Sequence, residues 1–387
     1  GAVLLRPTAS VRVGWQPVAA GGAFWAVLVV LAGAGAGWRM SPGQVSAGIY
    51  LLAGLSLLSA MPAWPRGVDV AAPVMAVVFG LVAAGLLGAV RAADDKARLY
   101  AAAAPASAAL ALTLLSAALP PGQFPMAWAA VAAAALAVGA AAAWLGRRSQ
   151  APQADPGLAI WIWSAAVLAA RAIFAGLVPE WAAPAVSLLA VVFALLHLRL
   201  GWRGFGAAGG AAAVAALFGL ARVGALAVDE KLDVLEMSLA FVLATLATWG
   251  AGRLVRRKDA NLADGLSTGA WIMGLIGLFL LIRLRGGDPQ VGLDPLLQIG
   301  LALVLLLATG LITSRGASLA GPIGRWRQHL FLLSGLAYGV VALLLIWNPL
   351  WNRDALPIKG PPLVDGLALA YLAPALLLAL AAQKGVA

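Results

Sequence analysis

The chain has 387 residues, no cysteine and only two histidines. Without thiols, it holds no disulfide, thiolate metal centre, iron–sulfur cluster or covalently attached haem. Two imidazoles leave almost no room for a His-based metal site or catalytic triad. Charge is scarce too, at 11% of residues, where an ordinary soluble domain carries roughly a quarter. No GxxxxGK[ST] phosphate loop occurs, so the chain is not itself an ATPase. HExxH, GxSxG and carboxylate-rich metal clusters are missing as well. The apolar stretches lack the midplane Asp, Glu or Lys series of a proton-coupled pump. They also lack the matched broken helices of a secondary transporter. Neither a metal nor a cofactor is expected.

What remains is 63% hydrophobic, with a mean hydropathy of +0.95. A water-soluble globule cannot hide that much apolar surface. A bilayer core needs ~20 mostly apolar residues per helical crossing. Windows of that length fall at about 17–37, 44–62, 70–90, 99–119, 126–146, 157–177, 181–198, 205–227, 234–252, 264–282, 293–314, 328–347 and 364–382. The runs are continuous and rich in Ala and Leu, so they read as helices rather than alternating barrel strands. Pro, Gly or charge breaks them, as at Pro120–Pro121–Gly122, Arg147–Arg148 and Arg256–Arg257–Lys258. The expected fold class is all-α: a polytopic transmembrane helix bundle of about 13 spans. The connections are too short to fold alone, so 1–387 reads as a single transmembrane domain with no soluble domain.

A net charge of +11 would suggest nucleic acid in a soluble protein. Here the distribution explains it. Taking connections alternately, one face holds 8 Lys/Arg and the other 16, while Arg171 and Arg222 lie inside spans. Ten of the fifteen acids fall on the less basic face. Basic loops stay cytoplasmic, which puts the N-terminus outside and the C-terminus inside, and no nucleic-acid partner is expected. Residues 1–20 lack the compact apolar core of a signal peptide. The odd span count is also what a piece of a longer chain would show.

The outward connections carry the Pro and acid residues, among them Asp229–Glu230–Lys231–Leu232–Asp233 and Asn348–Pro349–Leu350–Trp351. A faint echo links Leu232–Asp233–Val234–Leu235 with Val364–Asp365–Gly366–Leu367. In both, an Asp opens an apolar helix, where the helix dipole favours negative charge. Leu278–Phe279–Leu280–Leu281–Ile282–Arg283–Leu284–Arg285–Gly286–Gly287, Asn348–Pro349–Leu350–Trp351 and the run from Asp365 to Leu376 resemble segments of the large bacterial polytopic "predicted membrane protein" family. That family has many spans and no assigned function. The resemblance covers about a third of the chain, implies a bacterial inner membrane and a link to the cell envelope, and carries over no catalytic residue.

Ionisable groups inside spans are functional candidates, because a charge at the bilayer centre costs at least ~2.5–3.5 kcal/mol. With this orientation Arg171, Arg222, Glu236, Arg283 and Asp365 gather near the outer leaflet. One reading is an outward polar pocket in which the arginines hold a phosphate or carboxylate through their planar forks, with Trp181 or Trp351 stacking on a lipid or sugar. The competing reading has the arginines snorkel or pair as interhelical struts, with Trp at the headgroup level. His197 and His329 lie at one depth, as haem ligands would, but both abut basic interfacial residues and read as packing. Gly206…Gly210 and Gly265…Gly269, with Gly33, Gly35 and Gly37, invite close helix approach.

The expected function is a non-catalytic integral protein of the bacterial inner membrane, a scaffold or lipid- and partner-binding component of an envelope assembly. Its partners are membrane lipids and a membrane protein or second copy. The alternatives are a transporter or flippase with an outward cavity, and a multi-pass transferase acting on a lipid-linked glycan with Asp233, Glu236 or Asp365 as base.

Overall fold

The computed structural model describes residues 41–60, 68–120, 122–229, 231–286, 295–314, 322–341 and 368–383. Within them all regular secondary structure is helical. In order the helices are α1 Pro42–Ala60, α2 Ala71–Arg91, α3 Asp95–Ala101, α4 Ala103–Ala118, α5 Ala127–Arg148, α6 Pro156–Gly176, α7 Pro179–Leu200 and α8 Arg203–Val228. They continue as α9 Val234–Val255, α10 Ala260–Gly286, α11 Pro295–Ser314, α12 Pro322–Gly339 and, after a π-helical turn Ala368–Leu372, α13 Ala373–Gln383.

Eight segments are long and apolar enough to cross a membrane: α2, α3 with α4, α5, α6, α7, α8, α9 and α10. Each lies within a few residues of an expected span, from 70–90 to 264–282. Four more apolar helices are shorter, at Pro42–Leu58, Leu297–Ile312, His329–Gly339 and Ala368–Gln383. The expected span at 17–37 lies outside the described residues. The chain is therefore a membrane-embedded helical protein. Its surface fits a lipid solvent, with Leu136 75% and Phe218 73% exposed on long apolar helices. Backbone polar groups in such a solvent must bond internally, which a helix does for itself.

The chain forms two compact units, the first holding 1–178 and 192–215, the second 179–191 and 216–387. In the first, α5 lies along α6, and α4 packs on α1, α2 and α6. Close approach rests on missing side chains. A Cβ on Gly157 of α6 would sit 2.9 Å from the Arg98 carbonyl oxygen, one on Gly85 of α2 would sit 2.8 Å from Ala104 Cβ, and one on Gly146 of α5 would overlap the Trp202 ring. In the second unit α9 lies along α10, and α11 packs on α12 and α13. There Gly277 fits against Phe241 and Gly300 against the Leu369–Ala370 backbone. Of the glycines singled out by spacing, Gly269 faces open space.

Local chemistry sets the ends. Asp94 and Asp155 cap α3 and α6, accepting from the backbone N–H of Ala97 at 2.7 Å and Leu158 at 3.1 Å. Pro156 takes the first helical position, where its absent N–H costs nothing. Gly201 closes α7 with φ of 74°, a left-handed conformation that favours glycine. Its N–H donates to the His197 carbonyl, and the His197 ring bonds the Trp202 carbonyl through Nδ1 at 3.0 Å. That ring is therefore a packing element of the α7–α8 turn.

Candidate functional site: a basic cavity at the ends of α2, α5 and α6

Arg171 belongs to the first unit and Arg222, Glu236 and Arg283 to the second. Arg171 is a strut: Nε donates to Ser116 Oγ at 2.8 Å and an η-nitrogen donates to the Ser116 carbonyl at 2.7 Å. Ser116 lies in the last turn of α4, whose final four carbonyls lack intrahelical partners and carry partial negative charge. Arg171 thus caps a neighbouring helix. Arg222, Glu236 and Arg283 are exposed. Trp181, in the first turn of α7, is 52% exposed, as an interfacial aromatic would be. Asp365 and Trp351 lie outside the described residues.

The organised polar chemistry is at the opposite helix ends of the first unit. A cavity of about 340 Å³ opens where α2 ends, α5 ends and α6 begins. That volume is within the range of small-molecule sites. Arg98, Trp144, Arg148, Gln150, Asp155 and Trp161 line it. Asp155 is its hub and is 9% exposed. One carboxylate oxygen accepts the Leu158 N–H; the other accepts from Arg98 at 3.1 Å and Ser149 Oγ at 3.2 Å. Arg98 reaches back to Asp95 at 2.9 Å with its second η-nitrogen. One carboxylate thus ties the start of α6 to the end of α5 and to Arg98 of α3.

Two donors in the lining are differently placed. The Arg148 guanidinium lies 4.0 Å over the Trp144 ring, a cation–π contact, with no carboxylate partner among the described residues. Trp161 is 1% exposed, and its indole N–H has no acceptor. A buried indole usually finds one. Arg98 is held by two carboxylates, Asp155 is satisfied on both oxygens, and Arg148 is left as the cation of the lining.

Sequence reasoning passed over this place. Arg98, Arg147 and Arg148 counted only toward the more basic face, and Asp155 was not singled out. The available signal was Asp155–Pro156, a helix-start pair, beside a basic pair. Among the described residues no group of three or more His, Asp or Glu is placed to hold a metal ion.

Fold and cavity together define a class: an all-helical, membrane-embedded protein with a donor-rich recess at one set of helix ends. Neither a protein-family model, nor a curated protein, nor a solved structure matches the chain.

Proposed function

We propose that the protein is a non-catalytic, multi-pass component of the bacterial inner membrane that works by binding lipid and a membrane-protein partner. The observation that carries this reading is where the polar groups collect. In the first unit they tie helix ends around one cavity on the Lys/Arg-rich side, while the spans hold packing contacts between small residues. The reading takes thirteen spans from the apolar windows, and an external N-terminus and internal C-terminus from the charge asymmetry. It takes the bacterial envelope from the resemblance of the carboxy-terminal half.

The chain has no cysteine, so single cysteines report position without background. With Arg257→Cys or Gln150→Cys, an impermeant thiol reagent added to intact cells should leave the protein unlabelled. With Lys231→Cys it should label. The reverse pattern would overturn the orientation and, with it, the outward-pocket alternative. Purification in mild detergent should retain lipid or a second subunit. Substrate-dependent solute or lipid movement in proteoliposomes, lost on Arg222→Leu with folding intact, would instead establish the transporter reading.

A further inference from the structure

We propose that the cavity bounded by α2, α5 and α6 is a phosphate-binding site, with Arg148 and the Trp161 indole N–H as its two free donors. The physiological source is the head group of an anionic phospholipid in the cytoplasmic leaflet.

The charge pattern selects an anion. The carboxylate in the wall is occupied: Asp155 accepts from Arg98, Ser149 and the Leu158 amide. Its negative charge is already countered inside the first unit. Arg148 has no such counterpart, and its guanidinium carbon rests 4.0 Å over the Trp144 ring, which restricts the side chain before a ligand arrives. A guanidinium presents paired donors that match two phosphate oxygens. Trp161 adds a neutral donor that is deeply buried and unpartnered. The indole nitrogen itself is sealed from solvent, so a phosphate oxygen relieves this costly unsatisfied donor once the ring shifts toward the cavity. Gln150 lies at the exposed rim, and its amide can reach either a phosphate ester oxygen or a glycerol hydroxyl. Nearby Arg91, Lys96 and Arg147 are exposed on the same segments and raise the local anion concentration without entering the lining.

The lipid source rests on the orientation proposed above. Under it, the cavity opens at the leaflet where anionic lipids are attracted to juxtamembrane Lys and Arg. Free inorganic phosphate has the same chemistry but no acyl chains to lie along apolar helices.

The test uses the purified full chain in nanodiscs of phosphatidylcholine containing a minor fraction of phosphatidylglycerol, with lipid retention read by native mass spectrometry. The wild-type chain should retain phosphatidylglycerol over phosphatidylcholine. Arg148→Gln should lower that retention roughly fivefold, as loss of one basic group at a membrane surface does. Arg148→Lys, which keeps charge but not the fork, should fall between. Trp161→Phe should also lower retention, and Arg222→Gln should not. Arg148 is exposed, so its substitution leaves the folded core intact, and an unchanged melting profile would verify this. Retention that is equal in wild type and the Arg148 and Trp161 variants would overturn the proposal. Inorganic phosphate competing away phosphatidylglycerol would confirm phosphate recognition. Phosphate binding without any lipid preference would overturn the lipid source. The orientation is tested separately by Arg257→Cys labelling: external labelling with retention intact would sink the cytoplasmic-leaflet assignment and leave the phosphate site standing.

Discussion

Arg171 shows what an intramembrane charge can be for. Two of its hydrogen bonds end on Ser116, one of them on a carbonyl that α4 cannot satisfy itself. Arg171→Met should therefore destabilise the folded chain by about 1–3 kcal/mol, in line with hydrogen bonds to charged groups, seen as a lower melting midpoint in detergent. Arg222→Leu should leave that midpoint nearly unchanged, because Arg222 is exposed and makes no hydrogen bond or ion pair among the described residues. Asp155 separates two roles in the same way. Asp155→Asn keeps an oxygen for the Leu158 N–H, since Asn is also a good N-cap. Asp155→Ala removes cap and ion pair together and should cost about 1 kcal/mol more. Gly157→Ala should be destabilising by about 1–3 kcal/mol, the usual penalty of overpacking, because the added methyl meets the Arg98 carbonyl at 2.9 Å.

At the scale of elements, the division between α3 and α4 has a single cause. Pro105 has no N–H to give the Ala101 carbonyl, and its ring crowds that turn, so the regular pattern lapses at Ala102. The opposing α2 fits the gap: a Cβ on Gly85 would lie 3.0 Å from that same carbonyl oxygen. Pro105→Ala should join the two helices, and hydrogen exchange should then show a protected amide at position 105. The helices themselves were largely legible beforehand. Continuous apolar runs ended by Pro, Gly or charge locate α2 through α10 to within a few residues, because length and hydropathy are local properties. The cavity was not legible. It depends on Arg98 meeting Asp155 across 57 residues of chain, a pairing that leaves no mark in spacing. Attention to charges inside spans pointed instead to Arg171, whose guanidinium caps α4, and to Arg222 and Glu236, which are exposed.

At the scale of the whole molecule, the described surface carries many large apolar side chains. The long apolar helices leave large side chains such as Leu110, Leu188 and Leu246 on the surface. In water these would aggregate; in lipid they are solvated. Membranes washed at alkaline pH should accordingly retain the protein, and release into the supernatant would contradict its membrane embedding.

The Asp155 carboxylate joins the start of α6 to Arg98 of α3 and to Ser149 at the end of α5. A bound head group touching Arg148 and Trp161 would brace that same junction, so occupancy and heat resistance become one thermodynamic quantity. At about 100 times its dissociation constant a ligand contributes ~2.7 kcal/mol to the state that binds it. Stripping the protein of annular lipid should thus lower its melting midpoint, adding back phosphatidylglycerol should restore it, and Arg148→Gln should be deaf to the rescue.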